Sequence, residues 1–296
     1  MKIVVTIPAY NEQDTIGRVI NEIHDVMKSN KYNYKILVVD DGSRDNTAEE
    51  VKKAGAVVYS HPKNYGLAET FKTEVEKSLA MDADAIVHID ADMQYKPEEI
   101  PKLVREIENG YELVLGSRFK GTIESMPFMK RIGNIAFSKV ITNITGISIS
   151  DGQTGFRAFT KKVAEKIKIT SNHTYTQEQI IRAVREKFRI KEVPVYFAKR
   201  KDKSRLISNP FSYATRAWIN IIRIYRDYEP LKFFGITGSL IFLAGVILGI
   251  YLTYVQLFGE GVNRHLGFMM LDILILSIGL QILIFGFIAD MIKQQN

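Results

Sequence analysis

Residues 35–43 read Lys35-Ile36-Leu37-Val38-Val39-Asp40-Asp41-Gly42-Ser43. An unbroken aliphatic run stops at two aspartates and a glycine. A strand wetted on one side alternates polar and apolar residues, whereas a continuous apolar run marks a strand covered on both faces. Aspartate and glycine favour turns, so the strand ends there. The pattern recurs along the chain. Lys2–Ile7 runs into Pro8-Ala9-Tyr10-Asn11-Glu12, Ala85–Ile89 into Asp90-Ala91-Asp92, and Leu113–Leu115 into Gly116-Ser117-Arg118, with a shorter strand at Val57–Ser60. Helical spacing fills the intervals: Thr15–Ser29, with Ile16, Val19, Ile20, Ile23, Val26 and Met27 on one face, then Asn46–Ala54, Leu67–Met81 and Pro97–Asn109, whose proline suits a first turn. Strands alternating with helices predict an α/β fold, a mostly parallel sheet with helices on both faces.

The polar residues gather where these strands end, and open α/β sheets bind ligands along that edge. Neither G-x-G-x-x-G nor G-x-x-x-x-G-K-[ST] is present, which speaks against a dehydrogenase or a P-loop NTPase. The edge offers carboxylates instead. Asp90 and Asp92, one residue apart after a buried strand, suit a hard divalent cation such as Mg²⁺ or Mn²⁺ bridging a diphosphate. A lone Asp-x-Asp is weak, because turns favour aspartate anyway, and Asp40 reads equally as a brace for the turn before Gly42. His88, inside an apolar strand, reads as a packed core histidine. The chain has 296 residues and no cysteine, which excludes disulfides, thiolate metal sites and a cysteine nucleophile.

The charge is divided unevenly. Of 40 basic and 33 acidic residues, 37 and 30 precede Leu231, so the whole net charge of +7 lies there. Phe233–Phe258 is 26 residues without a charge, and Leu266–Ala289 is 24 residues interrupted only by Asp272. Each exceeds the roughly 20 residues needed to cross a bilayer. Asp272 falls near the loop end of its run and reads as a partly hydrated group. Gly235, Gly238, Gly245 and Gly249 would permit close helix contact, including with a second copy in a homo-oligomer. Arg223, Arg226, Lys232 and Lys293 flank the pair while its connecting loop has only Arg264, so the positive-inside rule puts the body on the cytoplasmic side of the cell membrane. The start, Met1-Lys2 followed directly by a strand, does not read as a signal peptide. The expected divisions are a catalytic domain at 1–209, a juxtamembrane amphipathic helix at 210–230, built on Phe211, Trp218, Ile221, Ile222 and Tyr225, and membrane helices at 231–258 and 266–290.

Taken in order, Pro8-Ala9-Tyr10-Asn11-Glu12, Asp40-Asp41-Gly42-Ser43 with Asp45 and Thr47, Asn64-x-Gly66, Asp90-Ala91-Asp92-Met93-Gln94, Gly116-Ser117-Arg118, Gly152-Gln153-Thr154-Gly155-Phe156-Arg157, Glu192-Val193-Pro194, and Arg200 with Ser204-Arg205 resemble glycosyltransferase family 2. Within it the chain is most similar to the dolichyl- and polyprenyl-phosphate hexosyltransferases of archaeal type. The resemblance covers residues 1 to about 230 and extends into the two-helix tail.

This resemblance implies a GT-A fold and a set of roles. Pro8, Tyr10, Glu12, Asp41, Asp90, Ala91 and Asp92 would hold the nucleotide sugar. Asp90, Asp92 and Gln94 would hold Mg²⁺ or Mn²⁺. Asp92, Asp151, Glu178 and Arg118 would carry catalysis, with Asp151 and Glu178 orienting groups rather than removing a proton. Arg118, Arg131, Arg200 and Arg205 would bind the lipid phosphate. Lys203 departs from the family pattern, where a small or acidic residue often precedes the serine. The implied reaction moves a hexose from a nucleotide sugar, a UDP-sugar ahead of GDP-mannose, to dolichyl or polyprenyl phosphate. The partners are then that donor, that acceptor and membrane lipids, without nucleic acid. Two other readings fit less well. Polysaccharide synthases carry Q-x-x-R-W and more spanning helices, whereas the single Trp218 lies outside such a motif. A nucleic-acid-binding membrane protein would account for the charge, but no such motif appears, and anionic lipid and sugar diphosphate account for it equally.

Overall fold

The computed structural model describes residues 1–170, 175–199, 219, 221–259 and 266–295. It divides into two compact units, Met1–Pro210 and Phe211–Asn296. The expected Arg200, Lys203, Ser204 and Arg205, most of the 210–220 segment with Trp218, and the loop residue Arg264 lie outside the described residues.

The first unit is a seven-stranded sheet in the order β3-β2-β1-β4-β6-β5-β7. Its strands are β1 (Lys2–Ala9), β2 (Asn33–Asp40), β3 (Val57–Ser60), β4 (Ala85–His88), β5 (Leu113–Ile123), β6 (Arg157–Thr160) and β7 (Ile190–Phe197). β1 lies parallel between β2 and β4, with Ala9 level with Asp40 and Thr6 level with His88. The three aspartate-bearing or polar strand ends therefore open on one edge. The helices are α1 (Ile16–Ser29), α2 (Thr47–Lys53), α3 (Leu67–Ala80), α4 (Ile100–Glu108, after a 3-10 turn at Pro97–Glu99), α5 (Phe128–Thr145), α6 (Lys161–Lys166) and α7 (Thr176–Arg185). α1 packs Ile16, Val19, Ile20, Ile23 and Met27 into the core, the face its spacing predicts.

Three features differ from the sequence reading. β6 runs antiparallel to both β4 and β5, so the sheet is mixed. β7 was hidden by its charged residues and by Pro194. It lies at the sheet's end, where a proline without an N–H is tolerated. β5 does not stop at Leu115. It continues past Arg118 to Ile123 with a register shift against β7, made room for by Gly121, where a Cβ would stand 2.0 Å from the Val195 carbonyl oxygen.

The second unit comprises a helical stretch α8 (221–228), α9 (Pro230–Phe258) and α10 (Leu266–Gln295). The most apolar windows of α9 and α10 have mean hydropathy 2.3 and 2.4, and only 11% of each is buried. Core helices of a soluble domain would be covered. Leu240, Ile247, Phe258 and Met270 instead point outward, each at least 65% exposed. α9 at 29 residues is about 43 Å long, more than a hydrocarbon core of about 30 Å. Glycines form the seam: a Cβ would come within 2.6 Å of Phe242 N at Gly279, 2.9 Å of Leu283 N at Gly238 and 2.8 Å of the Leu276 side chain at Gly245. Three of the four glycines expected to permit contact are thus used inside the hairpin, Gly249 facing Asp272 at 3.1 Å, while Gly235 meets nothing within 4 Å.

Candidate active site

The loops after β1 and β2 are stitched together. The Asn11 amide donates to Ser43 Oγ (2.8 Å), the Arg44 amide to Asn11 Oδ1 (2.8 Å), the Glu12 amide to Thr47 Oγ1 (2.9 Å) and the Asn46 amide to Gln13 Oε1 (3.1 Å). Asn11 adopts φ +55°, a left-handed conformation that asparagine tolerates. Tyr10 stands exposed at the rim, with Pro8 and Glu12 partly buried beside it, and Glu12 accepts from Thr15 Oγ1 at 3.0 Å.

Asp40 and Asp41 are both buried and have different partners. Asp40 accepts from the Ser43 amide (3.0 Å) and Ser60 Oγ (3.1 Å), bracing its own turn. Asp41 accepts from the amides of Tyr65 (2.9 Å) and Gly66 (2.8 Å) and lies 2.8 Å from His61 Nδ1, gathering the Asn64-x-Gly66 loop. Gly42, at φ +71°, lets that loop approach: a Cβ would stand 2.5 Å from the Lys63 carbonyl carbon.

Asp90 and Asp92 follow β4. Asp92 accepts from the Gln94 amide at 3.1 Å across Met93, which is at φ +60°. The Asp90 carboxylate is about a third exposed and lies against Gly155, where a Cβ would sit 2.9 Å from Oδ2. That cradle, which any other residue would fill, leaves the carboxylate open to a ligand. Among the described residues no three His, Cys, Asp or Glu side chains converge as a complete metal shell. Asp90 and Asp92 would supply hard oxygen donors of the kind that Mg²⁺ and Mn²⁺ take. Gln94 is buried, and its side-chain nitrogen donates to Ala198 O at 3.2 Å, which turns it toward the end of β7.

Arg118, expected at the lipid phosphate, is buried against Asp151. Its Nε and Nη2 donate to Asp151 Oδ2 and Oδ1 at 2.7 and 2.8 Å, and its amide to Oδ2 at 3.0 Å. Burial works against its charge, but Tyr95 and the Asp151 carboxylate outweigh it, so its pKa stands above the ordinary arginine value. Glu192 Oε1 in turn accepts from the Ser150 and Asp151 amides at 2.9 and 3.0 Å. Glu178 is buried and braces the 167–170 segment, accepting from Thr170 N (2.9 Å), Thr170 Oγ1 (2.8 Å) and Arg182 Nε (2.8 Å). Arg131 lies exposed on α5. Sequence reasoning gave no role to Glu74, Tyr175 or Arg157. Glu74 shares the buried face of α3 with Phe71 and Ser78, three residues after the one and four before the other, and a carboxylate at such a position is the available signal.

A mixed α/β sheet with paired carboxylates and a stitched two-loop pocket on one edge, followed by an apolar hairpin, defines a GT-A glycosyltransferase. The chain belongs to Glycosyl transferase family 2, which matches residues 4–168, and the GtrB C-terminal hairpin family matches residues 229–294. It is 32% identical over 222 residues to a dolichyl-phosphate hexose transferase of Haloferax volcanii, covering 74% of this chain and 92% of that one. It is 33% identical over 218 residues to a UDP-N-acetylglucosamine–dolichyl-phosphate N-acetylglucosaminyltransferase of Methanococcus voltae, covering 65% and 84%. In fold it is similar to glucosyl-3-phosphoglycerate synthase of Mycobacterium tuberculosis, solved with Mn²⁺ and UDP-glucose, at TM-score 0.59 and 18% identity over 76% of this chain and 78% of that one.

Proposed function

We propose that this enzyme transfers a hexose from a nucleotide sugar, a UDP-sugar ahead of GDP-mannose, to dolichyl or polyprenyl phosphate, with inversion at the anomeric carbon. The observation that carries the reading is the convergence of Asp90, Asp92 and the stitched loops on one sheet edge, in a chain that ends in a GtrB-type hairpin. Relatives named for dolichyl-phosphate transfer support the acceptor, and one named for UDP-N-acetylglucosamine supports the donor class.

In this reading Pro8, Tyr10, Glu12 and Asp41 line the nucleoside side, Asp41 mainly by holding the 61–66 loop in place. Asp90 and Asp92 would hold Mg²⁺ or Mn²⁺ with Ala91 between them, and Gln94 closes the same turn. The cation supplies positive charge against the departing diphosphate. A phosphate oxygen of the acceptor attacks the anomeric carbon as the bond to the nucleoside diphosphate breaks. A phosphate monoester has a second pKa near 6, so much of it is already ionised at neutral pH and needs no strong base. Asp151 and Glu178 accordingly act by orientation: Asp151 fixes Arg118, and Glu178 fixes the segment before α7. Arg131, with Arg200 and Arg205, is assigned to the acceptor phosphate. The hairpin anchors the chain in the cell membrane with its catalytic unit on the cytoplasmic side, because the cationic residues flank the helix ends away from the loop.

The test is a transfer assay with full-length protein in vesicles, dolichyl or undecaprenyl phosphate, Mn²⁺ or Mg²⁺, and UDP-glucose, UDP-N-acetylglucosamine or GDP-mannose separately. One donor should deliver labelled sugar to the organic phase, and Asp92→Asn should cut that rate by about 100-fold or more, the range for losing a transition-state electrostatic contact. Wild-type turnover in Asp92→Asn with Mn²⁺ present would remove the metal assignment.

A further inference from the structure

Beneath Asp90 lies a buried polar chain that none of the roles above uses. His88, one residue before the end of the apolar run, is fully buried. Its Nδ1 is 2.7 Å from Glu74 Oε2 on α3, and its Nε2 is 2.7 Å from the Tyr175 hydroxyl at the start of α7. The same Nε2 is 3.9 Å from Asp90 Oδ1. Glu74 and Tyr175 are at most 1% exposed. Burial pushes the Tyr175 phenol well up, so it stays protonated. The Tyr175 ring is fixed as well, stacked on Phe71 at 3.9 Å and 6°. Arg157, level with His88 on β6, ties the same place from the other side. It lies 5.1 Å from the Tyr175 ring and donates from Nη1 to Thr176 O (3.2 Å) and Gln179 Oε1 (2.9 Å), and from Nη2 to Thr154 O. Thr154 precedes Gly155, the residue that cradles Asp90.

Strand end, α7 and the 152–156 turn therefore meet at one carboxylate, joined by groups with no contact to solvent. Leucine would fill the same volume without the desolvation that a buried polar chain demands. We infer that His88 and Tyr175 are positioning residues, which hold the start of α7 against β4 so that Asp90 is presented in the orientation that receives the cation and the donor diphosphate. This rests on the reading of Asp90 as a cation ligand.

The experiment uses the full-length protein in detergent with UDP as the probe. Mn²⁺ affinity is read from loss of the free-ion EPR signal, alongside the thermal midpoint and kcat and KM for the donor. Tyr175→Phe keeps the ring on Phe71 and deletes only the hydroxyl. It should weaken Mn²⁺ binding with UDP about fivefold or more and lower kcat, with only a modest fall in the thermal midpoint from the hydrogen bond that His88 Nε2 loses. Phe71→Leu removes the stacked ring and keeps the chain, so it should lower the midpoint and leave Mn²⁺ affinity near wild type. Unchanged Mn²⁺ affinity in Tyr175→Phe, or equal losses of affinity in both variants, would reduce the chain to core packing. Asp90→Asn separates the two ideas. If it retains Mn²⁺ affinity, the cation assignment fails; if it loses affinity while Tyr175→Phe does not, only the positioning role fails.

Discussion

Asp151 takes no open position at the site; both its oxygens face Arg118, and it is fully buried. Taking two charges out of water is unfavourable, and what offsets it here is bidentate geometry plus a backbone amide on the same carboxylate. Removing one partner leaves the other charged and buried, which costs about 3–5 kcal/mol. Asp151→Asn should therefore lower the unfolding free energy of the full chain by an amount of that order, read from denaturant unfolding, whereas Arg118→Lys should keep the charge and lose the fork. If Asp151→Asn unfolds like wild type but turns over slowly, the pair serves the reaction alone. Arg118 was legible from its place at a strand end, and Asp151 only through the family resemblance. Their mutual engagement was not legible, because it depends on β5 continuing past Leu115 and bringing Arg118 opposite a turn 33 residues away.

Among the elements, the loop into α2 shows how local chemistry fixes a site. The Asp45 carboxylate accepts from the Thr47 amide at 3.0 Å, from the Thr47 hydroxyl at 2.5 Å and from the Gln13 amide at 3.3 Å. Burial raises its pKa, but the hydrogen bonds from Thr47 and Gln13 together outweigh that, and the net shift is downward. The unfolded chain then binds the proton more readily. The stabilisation is fully present above the ordinary aspartate value of about 3.9 and is lost as pH falls through the lower folded value. Thermal midpoints of Asp45→Asn should accordingly be lower than wild type at pH 7, with the gap closing below about pH 4. A gap independent of pH would show that the carboxylate's charge is not what matters. Strands β1 to β4 and helices α1 to α4 were legible because each is a local pattern, an apolar run and its stop. β6 and β7 were not. One is four residues long, and the other carries the adjacent charges Lys191 and Glu192 and then Pro194, and owes its place to pairing with a distant strand. His88 illustrates the same limit: its strand position was evident, and its partners on α3 and α7 were not.

For the whole molecule, the division between a charged body and an apolar tail, plain in the residue count, reappears as two compact units. In the proposed reading donor recognition draws on residues of the first unit, and the long apolar acceptor needs a membrane. Deleting residues 231–296 should leave sugar-nucleotide affinity within about twofold, while transfer to a long-chain lipid phosphate in vesicles falls by at least tenfold, as expected when an intramolecular anchor that sets effective concentration is lost. Full activity of the shortened chain on that acceptor would mean that the first unit finds the lipid unaided.

The stitching of the two loops after β1 and β2 bears on how the donor is met. A loop that must be ordered by its ligand takes the entropy of that ordering from the affinity. Here the side chains of Asn11, Gln13 and Asp45 hold the amides of Arg44, Asn46 and Gln13, so the two loops fix one another through the fold's own hydrogen bonds. That ordering belongs to folding. In the proposed reading the donor's binding energy is thereby left for its sugar end, where the hexose must be held and the diphosphate drawn away from it.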